Sequence, residues 1–331
     1  MKKFRKNIIF LIAICIIILF FVLKDDFNGI TNLLINSNKK YILIAILFML
    51  ISDMLKGISI SSLVRASNFK YKNKDGFVLM LMTNFFNGVT PFSLGGQPFE
   101  LYMMKKDNDV DYISGTNVLF KDYYTYQMAL MFLTIVCLIS NYIFGIVLYN
   151  KFISKIIWLG FIINLIITVF LIYIPYSKKK NYKIVSIVIN ILNKIGIVKD
   201  KDDALNKTNE WINKFKKQTR EVISDYKIII KCSALNVFKI LSVCISTYFC
   251  FKAIGSSVPI IATIVITILI FIMASFIPIP GASGGMEFSF ASLFSYFVID
   301  SKLGASLLMW RFITYYLPMI YGSIIFLVKR K

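Results

Sequence analysis

The chain is 331 residues long and 57% hydrophobic, with a mean hydropathy of +0.71, a net charge of +21 and no histidine. That hydrophobicity marks a polytopic membrane protein and excludes an ordinary soluble domain. Without histidine the usual general base, the Ser-His-Asp and Cys-His pairs and histidine metal sites are gone. In such a chain lysine and arginine record topology and attraction to anionic lipid headgroups, so the bilayer and its lipids are the expected partners and nucleic acid is not. The five cysteines (Cys15, Cys137, Cys232, Cys244, Cys250) sit in or beside apolar segments without CxxC spacing, and they read as small core residues. No metal, cofactor or catalytic residue is expected.

In chain order, a basic start (residues 1–6) leads into an apolar run over 7–23, followed by Lys24-Asp25-Asp26 rather than a small-residue cleavage site. This predicts an uncleaved first span. A second span over 41–64 contains Asp53 and Lys56 three positions apart on one helix face. Intramembrane charges are costly, so this pair either satisfies itself or serves a wet functional cavity. Arg65, Lys70, Lys72 and Lys74 then mark the cytoplasmic side.

The segment 77–104 is apolar but broken by polar residues, glycines and prolines over 84–100, and basic residues flank it on both sides. It is expected to enter and leave on one face as a re-entrant hairpin. Irregular backbone at that depth survives only when buried in protein or lining a wet cavity. A polar connection over 115–122 precedes spans over 123–148 and 158–175. The middle, 177–231, holds 14 Lys/Arg against 6 Asp/Glu. Apolar or Thr residues recur there at three-four spacing from Leu205, which predicts an amphipathic helix. Trp211 and Phe215 with Lys214, Lys216 and Lys217 suit a membrane surface; a connector packed on the protein is the alternative. Spans over 232–254 and 258–277, a second broken segment over 275–287, an apolar run over 288–299 and a last span over 303–328 complete the chain.

The expectation is therefore an all-α polytopic membrane protein. It has about seven full transmembrane helices plus re-entrant or broken helices, and a two-fold internal pseudo-repeat. One integral membrane domain comprises a first half (1–176), a basic connector (177–231) and a second half (232–331). Both termini, 65–74 and 177–231 are expected in the cytoplasm of a plasma-membrane protein. Charge placement puts both broken loops nearer that face.

The two broken segments share Pro-x-x-x-Gly-Gly followed by Glu: Pro91, Gly95, Gly96 and Glu100 in one, Pro280, Gly284, Gly285 and Glu287 in the other. Paired broken segments in two halves point to a transporter-type site. Gly-Gly with Pro98 reads as a helix start, as does Gly284-Gly285. Each start would present free backbone N–H groups and a positive dipole end, and glycine lets a ligand approach the backbone. Such ends attract phosphate or carboxylate. Glu100 and Glu287 either cap these helices or meet a cationic group, a proton or an arginine. Arg311, inside the last span, needs a carboxylate, either Glu287 or Asp53. Asn84, Asn87, Thr90 and Gln97 offer neutral hydrogen bonds.

At these residues the chain resembles the membrane region of lysylphosphatidylglycerol synthases and their stand-alone, flippase-like relatives. The resemblance rests on Asn87 with Pro91-x-x-x-Gly95-Gly96-Gln97-Pro98, on Pro280-Gly281-x-x-Gly284-Gly285-x-Glu287, and on residues 310–318 with Gly322. Lys121-Asp122 is similar to a charged pair of the family. Relatives often carry Glu at Gln97 and Arg within 101–103. The resemblance implies movement of anionic or aminoacylated phospholipids between leaflets. Asn84, Asn87, Pro91, Gly95, Gly96, Gln97, Glu100, Pro280, Gly281, Gly284, Gly285, Glu287 and Arg311 form the expected substrate site, with Asp53, Lys56, Lys121 and Asp122 as charge partners. In bifunctional relatives a soluble domain transfers lysine from charged tRNA to phosphatidylglycerol, and that domain is expected to be absent here. A separate synthase and a second copy of the chain are further candidate partners. The alternatives are a phosphatidylglycerol lysyltransferase, or a subunit of one, tied to resistance against cationic antimicrobial peptides, and a non-transporting membrane scaffold.

Overall fold

A computed structural model describes residues 27–67, 69–90, 95–148, 150–173, scattered positions within 205–220, 225–275, 277, 279–298 and 300–330. The expected first span, Pro91, Trp211 and Phe215 lie outside the described residues. Among the described residues the protein is all-helical, and five helices are long and apolar enough to cross a membrane.

Helix α1 (Phe27–Ile35) precedes α2 (Lys39–Ala66), whose first N–H groups are capped by Asn38. The far half of α2 buries Ser52, Asp53, Lys56, Gly57, Ser59, Ser61 and Ser62. These small and polar residues let neighbouring helices approach closely. Helix α3 (Asn73–Gly88) uses that room: a Cβ on Gly57 would lie 2.6 Å from the Phe77 nitrogen. Helix α4 (Gly96–Asn108) returns beside α3, so the two form a hairpin. Helix α5 (Tyr112–Phe144), capped by Asp111, crosses to the opposite end, and α6 (Lys151–Tyr173) crosses back. The polar connection expected over 115–122 is instead the first turns of α5. Asn117, Lys121 and Asp122 are tolerated inside the protein, Asp122 by pairing with Lys56 and Asn117 by a hydrogen bond from Thr219. The connector thus packs on the protein at Thr219, which is fully buried.

Helix α7 (Tyr226–Ala253) runs antiparallel to α2 along its length. Ala253 accepts from Asn38 N–H at 2.8 Å, the Ser246 hydroxyl donates to the Ala45 carbonyl at 2.9 Å, and Cys232 lies against the Ser59 carbonyl. Both α2 and α7 have 28 residues, and each is followed by a hairpin. Helix α8 (Ile260–Ala274) has 15 residues, about 22 Å at 1.5 Å per residue, too short for a hydrocarbon core of about 30 Å. The crossing expected over 258–277 is therefore the first arm of the second hairpin. A 3₁₀ turn (Pro280–Ala282) and α9 (Gly285–Phe294) form its return arm. The last span comprises α10 (Asp300–Arg311), a π-helical turn (Phe312–Tyr316) and α11 (Leu317–Arg330).

The direction of each helix fixes where the hairpins open. Helices α3 and α4 start and finish at the end that carries Arg65, Lys72, Lys105 and Lys106, where Lys329 of α11 pairs with Asp107. Helix α8 begins where α7 finishes, at the opposite end, and α9 returns to it. The second loop thus opens away from the basic end, which corrects the charge-based expectation. Its nearest C-terminal basic cluster, residues 329–331, lies a full span further along the chain, so proximity in sequence misplaced it. Two apolar clusters hold the halves: Phe251, Phe290, Phe294 and Trp310 at the far end, and Leu63, Met82, Phe99 and Met104 at the basic end. Leucine, isoleucine and phenylalanine on the outer faces of α5 and α6 stay exposed, as lipid-facing helices require.

Candidate functional site

The second hairpin turns on residues that only a tight bend needs. Gly281 (φ 60°) and Gly284 (φ 86°) occupy left-handed backbone, where a side chain is costly. The N–H of Gly284 donates to Glu287 Oε2 at 2.6 Å, so Glu287 caps the helix it starts. Its other oxygen accepts from Arg311 Nε at 2.5 Å. Arg311 also donates to the Gly281 carbonyl at 3.0 Å and reaches the Ser283 hydroxyl. Both charged residues are buried, at 7% and 3% exposure, so each is the other's answer to desolvation. Of the two partners the sequence offered for Arg311, the structure selects Glu287. Asn164 of α6 anchors the same hairpin: it accepts from Gln127 and donates to the Ser275 hydroxyl.

The first hairpin uses neutral groups for the same task. The Thr90 hydroxyl accepts from Gly95 N–H at 2.8 Å, and Asn87 Oδ1 accepts from Gly96 N–H at 3.0 Å. The backbone donors expected to be free for a ligand at Gly95, Gly96 and Gly284 are therefore occupied. The reason is local: Asn87 and Thr90 sit one turn before the bend, within reach of it. A Cβ on Gly96 would collide with Asn87 Oδ1 and the Thr83 methyl. Gln97 is exposed, and Glu100, one turn further, is buried at 4% exposure with the Thr83 hydroxyl beside it.

Asp53 and Lys56 do not satisfy each other. Lys56 forms an ion pair with Asp122 of α5. Asp53 accepts from Asn84 Nδ2 at 3.0 Å and from the Tyr321 hydroxyl at 2.5 Å. A three-residue spacing places two side chains on one face, but here each finds a partner on a neighbouring helix. Lys121, one position before Asp122, is also buried.

The two bends meet at the last span. The Tyr315 hydroxyl donates to the Gly88 carbonyl at 2.8 Å, where the first hairpin begins to turn. A Cβ on Gly281 would run into the Tyr315 ring, and the Arg311 guanidinium lies 4.9 Å from that ring's centre. Tyr315 belongs to the π-helical turn, a distortion that often marks functional positions. Glu287, Arg311, Gly281, Asn87 and Gly96 are thus gathered around one place, reached by hairpins from opposite ends. Asn84 sits beside it on α3.

Lys239, Tyr321 and Asn164 were not singled out from the sequence, and Tyr315 entered only as part of the motif over 310–318, with no role assigned to it. Lys239, well inside the apolar run 232–254 where Lys252 lies only at its end, was a readable signal. Tyr321 carried none, because aromatic residues are common in spans.

Two opposed re-entrant hairpins packed among long apolar helices define a multi-pass membrane protein of the broken-helix type. The chain belongs to the family described as the lysylphosphatidylglycerol synthase TM region, whose sequence model matches residues 8–322. It is 24% identical over 371 residues to an uncharacterized protein, MG306 homolog, of Mycoplasma pneumoniae, which covers 98% of this chain and 88% of that protein. It is 25% identical over 363 residues to the uncharacterized protein MG306 of Mycoplasma genitalium, covering 97% of this chain and 87% of that one.

Proposed function

We propose that the protein is a lipid translocase that moves phospholipids with anionic or aminoacylated headgroups, such as lysylphosphatidylglycerol, between leaflets. The observation that carries this reading is the meeting of two opposed hairpins at Tyr315, with Arg311 and Glu287 behind the second bend. A headgroup needs a polar path through the bilayer, and irregular backbone with paired charges supplies one. Hairpins open to opposite ends give each leaflet its own entrance, as alternating access requires. The basic end, set in the cytoplasm by its lysines and arginines, attracts anionic headgroups from the inner leaflet.

The family's description supports a lysyltransferase as the second reading. One reconstitution separates the two. Purified protein in vesicles is assayed side by side for movement of a fluorescent phosphatidylglycerol and for lysine incorporation from charged tRNA. Movement without incorporation is the expected result, and it disappears in Gly285→Leu, whose side chain would collide with Ile277. Incorporation by the purified chain would reverse the assignment, and neither activity would indicate a scaffold.

A further inference from the structure

Beside the first hairpin, four helices bring five charged side chains together: Asp53 and Lys56 (α2), Glu100 (α4), Asp122 (α5) and Lys239 (α7). The charges acting on Glu100 are those of Asp122, Lys56 and Lys239, and those acting on Lys239 are Lys56, Asp122, Asp53 and Glu100. Their partners are unequal. Lys56 is paired with Asp122, and Asp53 is held by Asn84 and Tyr321. The Lys239 ammonium lies 4.6 Å from the centre of the Tyr126 ring. Among the described residues Glu100 has no cation at ion-pair distance, although it is 4% exposed. The second oxygen of Asp122 is buried without a hydrogen-bond partner. The remaining groups facing this cluster are the Thr83 hydroxyl of α3, Tyr71 before α3, Tyr321 of α11 and Cys232 of α7.

Three carboxylates minus two ammoniums leave one negative charge in excess if all five are ionised. A buried charge without its counter-ion is expensive, and the usual remedy is to bind a proton. Glu100 also stands one turn from the bend at Gly95–Gly96, on the arm that carries it.

We propose that Glu100 is a proton site that couples proton movement to lipid movement. A proton from water forms an O–H bond with the carboxylate, and Lys56 then stays with Asp122. When that bond breaks, the proton leaves to water on the other side, and the Glu100 carboxylate draws an ammonium, from Lys56 or Lys239, towards α4. The exchange moves the arm of the first hairpin and hence its bend. No electron transfer and no further reactant are involved. The coupling rests on the translocase reading, but the proton site does not.

The test uses the full chain in vesicles of phosphatidylcholine and phosphatidylglycerol, with a fluorescent phosphatidylglycerol as probe and an imposed pH gradient. With one proton per lipid, the steady-state leaflet ratio shifts by up to about tenfold per pH unit. In Glu100→Gln the ratio should ignore the gradient. Independently, infrared difference spectra of the purified protein should show a protonated carboxyl band that titrates in the wild type and is absent in Glu100→Gln. A leaflet ratio that ignores the gradient in wild-type protein that does move lipid would overturn the coupling. A carboxyl band that persists in Glu100→Gln would overturn the site. A Glu100 band in a protein that moves no lipid would confirm the proton site while removing the translocase reading and the coupling with it.

Discussion

The two hairpins begin from the same Pro-x-x-x-Gly-Gly-then-Glu pattern and reach different electrostatic solutions. In the second, the acid and its partner close on the bend itself: Glu287 caps Gly284 and binds Arg311, which in turn holds the Gly281 carbonyl. In the first, the bend is capped by neutral Thr90 and Asn87, and the acid is displaced by one turn into a lateral cluster where its charge is unmatched. The second bend is thereby fixed by a neutralised network. The first is held only by uncharged hydrogen bonds and flanked by charges free to exchange partners. One motif can therefore build a fixed element and an adjustable one, depending on where its glutamate finds a cation.

The comparison is broken most severely by removing the cation of the fixed hairpin. Arg311→Gln leaves Glu287 buried and unpaired, a loss of about 3–5 kcal/mol for a buried pair. Earlier thermal unfolding in detergent and loss of lipid movement are expected. Adding Glu287→Gln to it should cost less than the two single losses summed, because the charges act as a unit. Steric insults at the bends come next. Gly96→Leu and Gly285→Leu each place a side chain into occupied space, a cost of about 1–3 kcal/mol. Both proteins should insert in the membrane, and neither should move lipid. Tyr315→Phe removes the hydrogen bond from the last span to the first hairpin, about 0.5–1.5 kcal/mol. It should slow lipid movement with little change in unfolding temperature, since a single hydrogen bond at the meeting point is lost while the Tyr315 ring stays in place. The smallest effect is expected for Lys329→Gln, which frees the basic end of α4 from the last span. The Lys329–Asp107 pair is partly exposed and contributes about 0.2–1 kcal/mol, so raising the salt concentration in wild-type protein should mimic the variant.

Much of this architecture is legible from composition and spacing. The spans over 41–64, 123–148, 158–175, 232–254 and 303–328 each correspond to an observed crossing, although the second overruns α5 by four residues beyond Phe144 and the fourth overruns α7 by one beyond Ala253, because uninterrupted apolar length dictates a helix wherever water cannot satisfy the backbone. Both helix starts after Gly-Gly were readable too, from glycine's freedom and the tolerance of proline in a first turn. Partner choice was not. Nothing in the spacing of Asp53 and Lys56 reveals that one will turn to Tyr321 and the other to Asp122, since those contacts join residues 66 or more positions apart. The direction of the second hairpin was hidden for a related reason. Charge marks the side of a full crossing, whereas a half-crossing arm such as α8 carries no lysine or arginine to mark its end.

Everything functional here depends on the hairpins opening at opposite ends. Single cysteines at Lys106→Cys, at the end of the first hairpin, and Tyr296→Cys, just beyond α9, in a background without the native cysteines, test this with a membrane-impermeant thiol reagent. Sealed vesicles of known orientation are labelled from one side only. Lys106→Cys should react from the cytoplasmic side and Tyr296→Cys from the opposite side. Reaction of both positions from the same side would contradict the opposed arrangement, and the alternating-access reading built on it would fall.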